Sequence, residues 1–181
     1  VTIRIAMWSG PRNISTAMLR SFGSRPDTAV SDEPLYAHYL QVTGVAHPGR
    51  DEVIAAHEPD WRKVAAALTG PVPGGRAIWY QKHMAHHLLA DMDRDWLGDL
   101  RNCLLLRDPR RVLASYTKVR ETVTLADIGV PQQVELLARC ELVVDSDDFL
   151  TDPRAYQTEI CRRLGVAFDA AMLTWPAGPR R

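Results

Sequence analysis

The stretch IAMWSGPRNISTAMLRSF, Ile5 to Phe22, decides how the chain is read. It opens inside an apolar run, Thr2–Trp8 (TIRIAMW), that reads as a buried strand closed by a turn signal. Ser9-Gly10-Pro11 breaks the run. From Ser15 to Gly23 the residues read as a helix, with apolar Ala17, Met18, Leu19 and Phe22 and with Gly23 as its stop. A strand that enters a helix through a loop of small residues suits an anion. Gly10 admits a close backbone approach, and the N–H groups from Arg12 to Thr16 can form a nest. The helix adds its positive end, Ser15 and Thr16 add hydroxyls, and Arg12 adds a charged fork. A plain turn capped by Asn13 or Ser15 would use some of these residues, but it does not ask for all of them together.

Working outward, Thr28–Ser31 is a short apolar segment before DEPLYAHYL, and Glu52–His57 and Pro59–Leu68 look helical. GPVPGG at Gly70–Gly75 is a break, and Ala77–Tyr80 (AIWY) is a strand followed by QKHMAHHLL. Asn102–Leu106 (NCLLL) is another strand. RDPRRVLASYTKV then opens a helix, with Asp108 as N-cap and Pro109 in its first turn. Leu142–Asp145 is a further strand. Asp152–Leu164 is a helix started by Pro153 and ended by Gly165. This alternation predicts an α/β fold: one domain over residues 1–181, with a parallel sheet of about four to five strands flanked by helices. Ligands of such sheets bind beyond the carboxyl ends of the strands, where the loops after Trp8 and Leu106 both lie.

Composition narrows the function classes. The 181 residues are 46% hydrophobic and 24% charged with a formal net charge of +0, so nothing global points to nucleic acid or an anionic membrane. Cys103, Cys140 and Cys161 are widely spaced and form no zinc pattern. Unpaired thiols and the lack of a signal peptide point to the cytoplasm. No stretch has the length of a membrane span. The start at Val1 and the end at WPAGPRR read as a chain truncated at its C-terminus. A small-molecule acceptor is the expected partner, and a homodimer is compatible with the sequence.

The loop is not a Walker A motif, because Ser15 and Thr16 stand where Gly and Lys would be. It resembles the loop of the sulfotransferases that use 3′-phosphoadenosine 5′-phosphosulfate, which has the form P-R-S-G-S-T-L-L or P-K-S-G-T-T-W. Pro11-Arg12-Asn13-Ile14-Ser15-Thr16 matches it, with Ile14 in place of the usual Gly. A second family signature is an Arg ending a strand and a Ser eight residues later. LLLRDPRRVLASY supplies Arg107 and Ser115 at that spacing. The resemblance implies a P-loop NTPase-like sulfotransferase fold. It also implies that Gly10, Pro11, Arg12, Asn13, Ser15 and Thr16 hold the 5′-phosphosulfate and that Arg107 and Ser115 hold the 3′-phosphate. No metal is required.

Sulfuryl transfer needs positioning, charge stabilisation and removal of the acceptor proton. Arg12 is a candidate to stabilise the leaving phosphate. Glu33 in SDEPLY is one candidate base, since bacterial sulfotransferases similar to the trehalose enzyme carry a catalytic Glu in a Glu-Pro pair. Lys82 and His83, after the AIWY strand, match loosely the Lys and His found together in many sulfotransferases. His83 and His87 share helical spacing, but no HExxH glutamate lies between them, so a metal is not expected. Tyr36, His38 and Tyr39 suit either an acceptor pocket or a core face. The competing functions are a nucleotide-binding relative without catalysis and a kinase-like phosphotransferase.

Overall fold

The computed structural model describes residues 2–118 and 122–176. Residue 119, at the end of the stretch after Asp108, and residues 177–181 of the closing run lie outside them. Five strands form one sheet in the order β2-β3-β1-β4-β5, every pair parallel. They are β1 (Ile3–Ser9), β2 (Thr28–Asp32), β3 (Ile78–Met84), β4 (Arg101–Leu106) and β5 (Leu142–Asp145). Central β1 pairs from Ile3↔Ile78 to Ser9↔Met84 on one side and from Ile5↔Arg101 to Ser9↔Leu105 on the other. Its flanks are covered on both faces, which is why TIRIAMW is nearly continuous in apolar residues.

The helices are α1 (Ser15–Gly23), α2 (Tyr36–Thr43), α3 (Arg50–Ala56), α4 (Trp61–Thr69), α5 (Pro109–Tyr116), α6 (Val130–Leu137), α7 (Ser146–Thr151) and α8 (Pro153–Arg163). One sheet face buries Ile5, Met7, Tyr80, Cys103 and Leu105 against Met18 and Phe22 of α1 and Ile160 and Cys161 of α8. The other buries Ala6, Trp8, Trp79 and Leu104 against Trp61 and Leu68 of α4 and Leu136 of α6. The period-2 alternation of each strand sorts its residues between these two cores.

The expected strands are present, while the two helices expected from Glu52 and Pro59 begin instead at Arg50 and, behind an Asp60 cap, at Trp61. Asp108 caps α5 by accepting from the Arg110 N–H, and Asp152 caps α8 by accepting from the Ala155 N–H. Three further expectations change. Gly23 is the last residue of α1 rather than the stop beyond it, and Ser24 takes the C-cap. The AIWY strand runs on to Met84, so Lys82 and His83 lie on β3 and not after it. His83 and His87 therefore share no helix face, since Ala85–His87 is a single short 3-10 turn.

Gly10 also works differently from the expectation. A Cβ at this buried position would lie 2.8 Å from the Ile128 carbonyl oxygen and 2.8 Å from Gln133 Nε2. The close approach is therefore to the segment leading into α6, and it seats the loop from beneath. Because the Ile128 oxygen is backbone, it yields little. Gly10→Ala is expected to destabilise the fold by about 1–3 kcal/mol, the usual cost of overpacking. A urea titration monitored by tryptophan fluorescence measures this, and an unchanged midpoint would refute it.

Candidate active site

The loop after β1 is tied to the rest of the sheet by side chains at its own centre. Asn13 Nδ2 donates to the Leu105 carbonyl at 3.0 Å, while Asn13 Oδ1 accepts from the Ile14 N–H at 2.8 Å. Arg12 has a left-handed backbone, φ 57°. A non-glycine residue pays about 1 kcal/mol or more for that conformation. Two contacts offset the strain. Arg12 Nε donates to Ser115 Oγ at 2.9 Å, and Arg107 Nη1 donates to the Arg12 carbonyl. The two sequence motifs thus meet directly, although Arg12 and Ser115 are 103 residues apart.

A cleft of about 280 Å³ lies where they meet, lined by Arg12, Asn13, Ile14, Arg107 and Ser115 and closed by Ser146, Asp147 and Leu150. Ile14 is the N-cap residue of α1, and no side chain caps this helix end. Its side chain packs instead against the core on the α1 face. Because Ile14 also lines the cleft, the start of α1 lies beside it, and a helix N-terminus next to two guanidinium groups is the chemistry of an anion site. The left-handed residue of the loop is Arg12, so an L residue with an apolar anchor fits at position 14. Of the residues expected to hold a cofactor, Arg12, Asn13, Arg107 and Ser115 line the cleft. Ser15 is buried and Thr16 exposed at the start of α1, Gly10 is buried below, and Pro11 faces elsewhere.

Pro11 lines a second pocket of about 170 Å³, together with Glu33, Tyr36, Tyr39, His87 and Asp127. One short loop thus walls two pockets, with Arg12–Ile14 on one and Pro11 on the other. Ser115 and Tyr116 divide in the same way. Tyr36 and Tyr39 hold this pocket's shape by ring contacts to His87, at centroid distances of 5.0 and 4.7 Å. His38 does not join them: it is buried, with Nδ1 2.8 Å from the Pro59 carbonyl oxygen. A larger groove of about 430 Å³, lined by Asp32, Glu33, Val53 and His57 among others, meets the same Glu33 from the other side.

Lys82 and His83 part company because they are neighbours on a strand. The Lys82 side chain is 6% exposed, and its Nζ donates to Asp32 Oδ1 at 2.7 Å and to Glu33 Oε1 at 2.8 Å. Burial pulls the Lys82 pKa down, but the bonds to Asp32 and Glu33 outweigh it and hold the ammonium above the usual lysine value. Asp32 was not among the sequence candidates, though its place beside Glu33 in SDEPLY was a usable signal. His83 lies on the other sheet face, 1% exposed, and stacks on Trp8 at 4.2 Å. Burial pushes its imidazole down to about 3. A base must reach its acceptor, and His83, sealed beneath Trp8, has no such access. Burial, followed by the neighbouring His86, likewise lowers the pKa of His87.

A family model described as a sulfotransferase domain matches residues 3–181. The chain belongs to this sulfotransferase family. Among curated proteins it is similar to two from Arabidopsis thaliana, named branched-chain-amino-acid aminotransferase-like protein 2 and protein 1, at 32% and 34% identity. Each similarity covers 97% of this chain, which spans only 32% of each relative's length. Among solved structures, the sulfotransferase domain from the Synechococcus PCC 7002 olefin synthase superposes with a TM-score of 0.62 at 22% identity, over 99% of this chain and 80% of that one. The sulfotransferase domain from the curacin biosynthetic pathway gives 0.58 at 13% identity, over 96% and 77%. At these identities the likeness is one of fold. Within this sulfotransferase chain, no helix among the described residues is long and apolar enough to cross a membrane.

The buried His83 makes stability pH-dependent. Its folded pKa, about 3, lies below the unfolded value of 6.5, so the unfolded chain takes up the proton first. The stability present above pH 6.5 is lost as pH falls from there towards 3. Between pH 7 and pH 5 this group alone accounts for a loss of about 2 kcal/mol. His83→Phe, which keeps a ring on Trp8, should remove that share. Urea unfolding of both proteins at the two pH values decides, and an identical pH dependence would contradict the assignment.

Proposed function

We propose that the chain is a sulfotransferase that moves a sulfuryl group from 3′-phosphoadenosine 5′-phosphosulfate to a hydroxyl or amine of a small-molecule acceptor. The observation that carries this reading is the loop shared between two pockets. A cationic cleft lies on its Arg12–Ile14 side, and a carboxylate-bearing pocket lies on its Pro11 side. The cleft suits the donor's two charged ends: it brings two guanidinium groups, a hydroxyl and an uncapped helix start to one place. When bound, the donor supplies a sulfur whose bond to the phosphate oxygen breaks as the acceptor's bond forms.

Arg12 and Arg107 bind and orient through charge-assisted hydrogen bonds, and the α1 N-terminus adds its positive end. Ser115 holds Arg12 until a ligand oxygen competes for either group. Glu33 is the base, taking the acceptor's proton on a carboxylate oxygen. Its position on the wall of the second pocket, next to the loop, supports that role over His83. Lys82 and Asp32 complete the carboxylate side.

Adenosine 3′,5′-bisphosphate should bind in preference to ATP with magnesium, and calorimetry tests this. Preference for ATP would favour the kinase-like alternative. Arg107→Ala should weaken bisphosphate binding by about ten- to a hundredfold, the range for losing a charge-assisted contact. An unchanged affinity would remove Arg107 from the site. Glu33→Gln should keep the affinity but abolish transfer of labelled sulfate into a pool of cell metabolites. Full transfer by this variant would sink the assignment of the base.

A further inference from the structure

We propose that Lys82 and Asp32 form a positioning device for the Glu33 carboxylate, with Lys82 acting through Glu33 rather than on the donor. The inference rests on the reading of Glu33 as the base. Consecutive side chains of a strand point to opposite faces. Asp32 ends β2 in register with Lys82 on β3, and the Glu33 N–H donates to the Lys82 carbonyl at 2.9 Å. A regular continuation would turn Glu33 away from Asp32. Instead Glu33 adopts φ 47°, in the left-handed region. That turn breaks the alternation and brings both carboxylates onto one ammonium, at 2.7 and 2.8 Å. Glutamate has no intrinsic preference for this backbone, so the surrounding contacts must maintain it.

Lys82 is suited to that task because it is itself held. It sits within the β3 ladder, its side chain is 6% exposed, and Asp32 draws its Nζ towards the sheet edge. It is absent from the lining of the arginine cleft. Asp32, 55% exposed, meets Glu33 in the larger groove, while Glu33 and not Asp32 lines the smaller pocket beside Pro11. The pair thus fixes which of two adjacent carboxylates faces the loop. The left-handed turn at Glu33 supplies the reach and the ammonium holds it there.

The test uses crystal structures of the wild type, Lys82→Met and Lys82→Arg, with calorimetric titration of adenosine 3′,5′-bisphosphate into each. In Lys82→Met, Glu33 should leave the left-handed region and its carboxylate should leave the pocket wall. Bisphosphate affinity should stay within about twofold of the wild type. Lys82→Arg should restore the Glu33 backbone. If Lys82→Met does not fold, Lys82→Met combined with Asp32→Asn avoids two unpaired carboxylates and should show the same departure of Glu33. A Glu33 that keeps its conformation without the ammonium overturns the inference. So does a bisphosphate affinity weakened by about tenfold or more, which would make Lys82 a donor ligand. Neither result touches the base assignment, which fails only on the activity of Glu33→Gln.

Discussion

Parallel pairing of β1 between β3 and β4 is the constraint on which the rest of the molecule depends. All five strands point the same way, so every strand delivers its following residues to one edge of the sheet. The register sets Ser9 opposite both Met84 and Leu105. The loop after Ser9 therefore emerges between the end of β3 and the end of β4. Its Asn13 reaches the Leu105 carbonyl near the end of β4, its Arg12 reaches α5, and its Pro11 faces the β2–β3 side. An antiparallel neighbour would scatter these groups over both edges.

The hydrophobic pattern carried most of this fold openly. Buried parallel strands read as short apolar runs, and Asp108, Pro109, Asp152 and Pro153 mark helix starts through their own backbone chemistry. The resemblance to the sulfotransferase signature picked out Arg107 and Ser115 in the sequence; both line the cleft, Ser115 bonded to Arg12 and Arg107 donating to the Arg12 carbonyl. The end of β3 was not legible in the sequence. Gln81, Lys82 and His83 are polar, and a polar residue reveals its burial only through partners far away in sequence. Gln81 donates to the Leu68 carbonyl, Lys82 binds two carboxylates at the end of β2, and His83 stacks on Trp8. Without those partners the stretch resembles a helix start. Ile14 was opaque for a related reason. Its meaning depends on which loop residue takes the left-handed conformation, and that residue is Arg12.

The two halves of the site solve their electrostatics differently. On the β4 side, Arg12 and Arg107 face an open cleft and are steadied by a serine hydroxyl and a backbone carbonyl. Their charge is left largely available to a ligand. On the β3 side, one nearly buried ammonium is shared by two carboxylates, so that group carries a formal surplus of negative charge. Burying a cation there is tolerable because its partners are at hydrogen-bonding distance.

The loop that walls both pockets also partitions their energetics. Residues that shape the arginine cleft belong to the loop's far side, to Arg107 just past β4, and to α5 and α7. Those that shape the carboxylate pocket come from α2, from the end of β3 and the turn after it, and from Glu33 just past β2 and Asp127 ahead of α6. Their direct meeting points are the loop itself and the Ser115–Tyr116 step at the end of α5. The two linings have no residue in common, and substitutions add in free energy only where they are well separated and share no partners. Substitutions in α2 and just after β2 therefore reach the carboxylate pocket without touching the lining of the arginine cleft.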